Sequence, residues 1–224
     1  NAHDPAVLSV AVDGWTYVYS TDLQHGMLAR RGCQIRRSRD LVSWEFAGWA
    51  LPDGPPFEVD ARVQSVNLWA PDCVRVGDEY RLYYSASLFG KQQSAIALAV
   101  STNPGGPFAP RGIVLATQDG DPVNAIDPCI VRDEETGMQW MAYGSFWNGI
   151  HLLALDEKTG MVAPGQERWG IRIASRPHEA DGAVEGASIV YNAETGYYYL
   201  FVSYGSLFSD YNVRVARSRS VTGP

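Results

Sequence analysis

Four carboxylates stand where short apolar runs begin: Asp4 in HDPAVLSV, Asp72 in WAPDCVRV, Asp127 in NAIDPCIV and Glu185 in VEGASIVY. Each run is rich in Val and Ile, the pattern of a buried strand entered from a turn. Carboxylates brought together repel, so at least one keeps its proton to higher pH and can serve as an acid near neutrality. One protonated and one ionised carboxyl on opposite sides of a bond are the equipment of glycoside hydrolysis. Each acid also has a plainer reading. Asp4-Pro5 and Asp127-Pro128 are common turn starters, because Asp bonds local amides and Pro sets the next φ. For Asp72, which follows Pro71, a turn or structural role comes first. Glu185 is harder to explain away: Glu is a poor turn residue, and between Val184 and Gly186 it has no obvious structural partner.

Aromatic residues flank these acids. Trp69, Phe89, Phe146 and Trp147 lie in turn-like sequence such as NLWAPD and YGSFWNG. Rings at loop tips are candidate platforms for stacking on sugar faces, with ordinary loop packing as the alternative. Tyr83, Tyr143 and Tyr199 sit inside strand-like runs and are expected in the core.

The elements that must position these groups form a repeat. The acids recur at intervals of roughly 55 to 70 residues, a supersecondary period. In the first unit, residues 5–12 and 15–20 flank an Asp13-Gly14 hairpin turn, and strands follow at 33–37 and 44–51. The second unit has strands at 72–76, 81–87, 95–101 and 108–115, and the third at 127–132, 139–145, 149–156 and 168–174. The fourth has 185–191, 197–204 and 212–218, and then Thr222-Gly223-Pro224 matches the Gly105-Gly106-Pro107 that precedes the outermost strand of the second unit. Helical periodicity is missing, and 52–65 is read as a long loop. Repeated four-stranded units of this size predict an all-β β-propeller with blades near 1–51, 66–116, 122–175 and 180–224 in one domain. About one further blade is expected beyond the C-terminus. In such a ring the innermost strands converge on one channel mouth, so the acids become a single site.

Bulk properties narrow the partners. The chain has 224 residues, enough for one large all-β domain, and 12% of them are aromatic. A formal net charge of −7 argues against a nucleic-acid partner, which needs a basic stripe. The one basic cluster, Arg36, Arg37 and Arg39 beside Asp40, reads as solvated surface. Cys33, Cys73 and Cys129 are far apart, without the CxxC spacing of a zinc site, and are expected as free buried thiols. No apolar run is long enough to span a bilayer, so no membrane partner is expected.

Taken together, HDP at 3–5, NLWAPD at 67–72, NAIDP at 124–128, YGSFWNGI at 143–150 and VEGAS at 184–188 resemble glycoside hydrolase family 43, above all its endo-1,5-α-L-arabinanases. The likeness runs through essentially the whole chain in order. It implies a five-bladed β-propeller, with roughly four blades in this chain, that cuts internal α-1,5-L-arabinofuranosyl linkages of arabinan with inversion. By motif Asp4 matches the general base, Glu185 the general acid, and Asp127 the carboxylate that orients the acid and tunes its pKa. Inversion needs room for a water, so the base and acid carboxyls should stand about 6.5–9.5 Å apart. Trp69 and Phe89 match positions that pack on the sugar, Ser145 could bond a sugar hydroxyl, and Asn124 joins the substrate-binding set through its motif. The resemblance also implies a channel calcium ion with a histidine ligand from the last blade. Its ligands are not identified in this sequence, and none of His3, His151 and His178 is assigned. Two rivals remain: an exo-acting β-xylosidase or α-L-arabinofuranosidase of the same fold, and a non-catalytic carbohydrate-binding propeller, against which the three retained acids argue. The implied partner is arabinan, a monomer is expected, and a polymer that cannot enter cells places the protein outside the cell or in the periplasm.

Overall fold

The computed structural model describes residues 2–8, 13–25, 28–177 and 182–223, and the alternating runs form four antiparallel sheets in a β-propeller arrangement. The first sheet holds β1 (Ala6–Leu8), β2 (Thr16–Ser20), β5 (Gln34–Ser38) and β6 (Glu45–Trp49), with a small hairpin, β3 (Gln24–His25) and β4 (Leu28–Ala29), between β2 and β5. The second holds β7 (Leu68–Val76), β8 (Glu79–Ser87), β9 (Ser94–Ser101) and β10 (Ala109–Thr117). The third holds β11 (Cys129–Arg132), β12 (Gln139–Tyr143), β13 (Ile150–Leu155) and β14 (Ile171–Ala174). In the fourth are β15 (Val184–Asn192), β16 (Tyr197–Tyr204) and β17 (Asn212–Ser218). Strand order within each sheet follows chain order, and the first strands of successive sheets abut: β1 on β7, β7 on β11, β11 on β15.

The core lies between blades, and period-2 alternation sends successive side chains to opposite neighbours. In β9, Ala95, Ala97 and Ala99 face the first blade while Ile96 and Leu98 face the third. In β12, Met141 and Tyr143 pack toward the second blade and Ala142 toward the fourth. A sheet buried on both faces reads as a continuous apolar run, as SAIALAVS does. Tyr83 and Tyr143 are fully buried, and their hydroxyls donate to the carbonyls of Gly160 (2.9 Å) and Trp169 (3.0 Å). Tyr199 departs from expectation: it is half-buried, and its neighbour Tyr198 holds the core position. The strand is placed correctly, but its inward face is one residue out of phase. Val190, Phe201, Val213 and Val215, in the fourth sheet, are exposed.

Three expectations are settled locally. The stretch 52–65 contains a short helix, α1 (Phe57–Arg62), whose Val59 is buried between blades one and two. Its signals were a Pro at the N-terminal boundary, acids in the first turn and Arg62 in the last. One and a half turns are too few to show a period. Cys33 and Cys73 are free and buried, and Cys129 is free and half-buried. Arg37 and Arg39 lie over the Trp15 ring, 4.3 and 4.4 Å from its centroid, so their stems cover an aromatic surface as well as facing solvent.

Candidate active site

The inner strands share one device at the channel mouth. In each, two residues intervene where the partner strand has one, forming a β-bulge whose first residue takes a positive φ. That residue is Asp4 (φ 47°), Ala70 (36°), Asp127 (58°) and Gly186 (61°) in blades one to four. The bulge lies between the backbone pairs His3/Thr21 and Ala6/Tyr19, then Trp69/Ser85 and Asp72/Tyr83, then Ile126/Gly144 and Cys129/Ala142, and finally Glu185/Ser203 and Ser188/Phe201. The four acids are therefore not equivalent, contrary to the sequence pattern. Asp4 and Asp127 head their bulges, Glu185 stands just before one, and Asp72 just after.

Asp4 Oδ2 accepts the Thr21 hydroxyl (2.5 Å) and meets His3 Nδ1 at 2.7 Å, while Thr21 Oγ1 also accepts the Ala70 N–H (2.7 Å). Blade two thus steadies the carboxyl of blade one. Asp127 accepts the Gly186 N–H (3.1 Å), and its own N–H donates to Ser85 Oγ (3.1 Å). Burial first, then the charges of Glu185 and Asp4, push the Asp127 carboxyl up to about 8. Glu185 Oε2 accepts the Ser145 hydroxyl at 2.9 Å, and the Phe146 N–H donates to the Val184 carbonyl (2.8 Å), so the loop after β12 is clamped to the strand that carries the acid. A side chain at Gly144 would collide with the Gly149 carbonyl, and φ there is 122°, which is why that loop needs glycine to turn.

Asp72 does something else. Its carboxyl accepts the Cys73 N–H (2.9 Å) and, across the blade boundary, the Ile130 N–H (2.6 Å). Burial raises it to about 6. This is the structural role that the sequence put first.

Beside Glu185 runs a groove of about 550 Å³. Trp69, Phe89, Asn124, Ser145, Phe146 and Trp147 all line it. Phe89 is 72% exposed, whereas Asn124 is only 4% exposed, with its Oδ1 already accepting the Ser94 hydroxyl at 2.7 Å. Trp69 is fixed by its indole N–H donating to Asn67 Oδ1 (2.8 Å). Ser145 is buried, with Glu185 as its partner. Sequence reasoning passed over Lys91, Leu207 and Phe208, which also line the groove, and Tyr211, whose hydroxyl lies near Glu185 and Ser203. Burial first, and then the Glu185 carboxylate, push that phenol well above its usual range. A signal was present: Ser-Leu-Phe occurs at both 87–89 and 206–208, and Ser-Phe-Trp at 145–147.

Among the described residues no three His, Cys, Asp or Glu side chains converge as a metal site. His3 is taken up with Asp4, His151 Nδ1 lies 3.1 Å from the Trp169 carbonyl between blades, and His178 is outside the described residues. These residues alone do not fit a calcium ion.

Carboxyls gathered at one channel mouth, beside a groove walled by aromatic rings, put the molecule among β-propellers with an acidic channel mouth. The chain belongs to glycosyl hydrolases family 43, whose sequence model matches residues 1–224. It is similar to an extracellular endo-α-(1→5)-L-arabinanase of Thermotoga petrophila (34% identity, 99% of this chain and 50% of the relative). An extracellular exo-α-(1→5)-L-arabinofuranosidase of Cellvibrio japonicus is likewise 34% identical, over 100% of this chain and 66% of its own length. The solved structure of a Bacillus subtilis arabinanase superposes with a TM-score of 0.85 at 33% identity, covering 100% of this chain and 74% of that one. The chain spans about half the length of the first of these relatives.

Proposed function

We propose that the protein carrying this chain is an extracellular glycoside hydrolase that cuts internal α-1,5-L-arabinofuranosyl linkages of arabinan with inversion. The observation that carries the reading is Glu185, held by Ser145 at the edge of an aromatic groove and electrostatically coupled to Asp127. In this mechanism the sugar lies between Glu185 and Asp4. A water attacks the anomeric carbon from the Asp4 side and gives its proton to that carboxylate. The carbon–oxygen bond opposite breaks, and Glu185 delivers its proton to the departing oxygen. Among the described residues Asp4 Oδ1 has no hydrogen bond, so it is available to that water. Burial, then the charges of Glu185 and Asp4, raise the Asp127 carboxyl to about 8, so Asp127 can keep a proton near neutral pH beside the acid. The mechanism requires base and acid carboxyls about 6.5–9.5 Å apart. A channel calcium is implied by family resemblance only, and no step runs through it.

An exo-acting enzyme on the same residues is the second reading, favoured by the likeness to the Cellvibrio arabinofuranosidase. The deciding experiment follows viscosity and products on debranched linear arabinan for wild type and Glu185→Gln. Internal cutting drops viscosity early with short oligosaccharides appearing, and the variant loses about 10³-fold in rate at unchanged melting temperature. Release of single sugars with slowly falling viscosity installs the exo reading. Binding without hydrolysis by wild type leaves a carbohydrate-binding propeller.

A further inference from the structure

Loops that follow the second strand of three successive blades carry the same short signature, Ser-Leu-Phe at 87–89, Ser-Phe-Trp at 145–147 and Ser-Leu-Phe at 206–208, and all three triplets line the groove. The aromatic tip of the last, Phe208, is 86% exposed, more than Phe89 at 72%. The ring stands at the groove's edge, not in the core of the blade. Yet its loop is tied off internally. The Ser206 N–H donates to Asp210 Oδ1 (2.9 Å), the Ser209 hydroxyl to the same oxygen (2.9 Å), the Phe208 N–H to Ser206 Oγ (3.2 Å), and Asn212 Nδ2 to the Asp210 carbonyl (2.8 Å). Gly205 at φ 88° admits the turn, and a side chain there would meet Asp210. A loop closed by its own hydrogen bonds, presenting its ring at the edge of a groove that two matching triplets also line, suits a ligand face.

We infer that Phe208, with Leu207 beside it, is a sugar platform on the leaving-group side of the scissile bond, and that it sets how strongly the site depends on chain length. The side follows from connectivity: Phe208 and Glu185 belong to the same blade, and the carboxyl that protonates the departing oxygen faces the leaving portion of the chain. Phe89 reaches the groove from blade two, on the side of Trp69. The ligand class is a linear furanoside or pyranoside chain whose apolar C–H face lies on the ring. This rests on the hydrolase reading above, and the test separates the two.

Phe208→Ala is compared with wild type on linear pentose oligosaccharides of increasing length and on an aryl pentoside, and both are repeated as ligands in a Glu185→Gln background by calorimetry. The expected result is a loss of kcat/KM that grows with chain length to about tenfold, smaller on the aryl pentoside, with KM carrying most of it and with cleavage positions shifted along the chain. Phe208→Tyr restores it. In the Glu185→Gln background, affinity for long oligosaccharides falls by the same factor. Should wild type cleave nothing, the hydrolase reading fails alone, and the calorimetric loss still supports the platform. Equal affinities and unaltered cleavage positions for Phe208→Ala overturn it, as does a loss independent of chain length.

Discussion

Blades two and three place an aspartate within two residues of the same bulge, and the two carboxyls lead different lives. Asp72, just past its bulge, accepts two backbone N–H groups and fastens blade two to Ile130 of blade three. Asp127, at the head of its bulge, accepts a single N–H from Gly186 and otherwise meets the charges of Glu185 and Asp4. Both are raised by burial, to about 6 and about 8. What separates them is partners: two amide donors compensate a buried charge, whereas neighbouring carboxylates add to its cost. A shift of two positions around one bulge thus turns a fastening into a proton-holding site. Blade one uses the fastening role too, since Asp22 Oδ2 accepts the N–H groups of Gly32 (2.8 Å) and Leu68 (3.0 Å) of blade two.

The widest expected gap between the two is chemical. Asp127→Asn keeps an acceptor for Gly186 but no longer presents a titrating carboxyl beside Glu185, and hydrolysis of linear arabinan should fall about 10²- to 10³-fold. Stability should move the other way. In the folded protein Asp127 ionises near 8, against 3.8 ordinarily, so its contribution is fully present below the ordinary value and is lost as pH rises toward 8. The variant, having no such carboxyl, should therefore gain in melting temperature relative to wild type between pH 4 and pH 8, and match it most closely at pH 4. A variant that is inactive and also less stable at pH 8 would mean that Asp127 is a fastening like Asp72.

Asp72→Ala should show the reverse at intermediate size. It strands the N–H groups of Ile130 and Cys73, which costs roughly 2 kcal/mol or more by denaturant titration, while kcat on arabinan stays within a few-fold. Because Asp72 is raised to about 6, the stability it supplies is greatest below 3.8 and declines as pH rises through 6. The deficit of Asp72→Ala should accordingly be larger at pH 4 than at pH 8. A deficit that grows with pH would show that Asp72 binds its amides as an unstrained carboxylate.

The strand plan was readable in the sequence because β8, β9, β12 and β13 are buried on both faces and so read as largely apolar runs, with Gly in the turns that follow β8 and β12. The six groove residues were readable because each sits in a turn-like segment that interrupts the strand pattern. What escaped needed information that a single segment does not carry. That Asp72 belongs to a different position from Asp127 depends on counting residues on the opposite strand, where Tyr83 and Ala142 sit across from Asp72 and Cys129. Phe208 escaped although its triplet repeats 87–89, because no strand-start acid of the repeat stands beside it in the fourth unit after 191. The helix α1 escaped because its burial comes from packing against blades one and two, not from its own pattern.

Ala70 supplies the smallest and sharpest test of the comparison. It occupies the position that Asp4 and Asp127 hold in their own blades and has φ of 36°, where a methyl group crowds the following carbonyl. Asp tolerates this region through local hydrogen bonds and Gly through lack of a side chain, so alanine is the poorest of the residues found there. Ala70→Gly should relieve about 1 kcal/mol of crowding and lose part of it to the greater freedom of an unfolded glycine, for a net gain near 0.5 kcal/mol. In a chain of this size that is a rise of about 1–2 °C in melting temperature. The Thr21–Ala70 hydrogen bond uses only the backbone N–H and survives the change, so Asp4 keeps its support and activity should hold. A loss of stability instead would mean that blade two does not need the left-handed residue, and that the bulge at 70–71 is held by Pro71 and its neighbours rather than by a position common to all four blades.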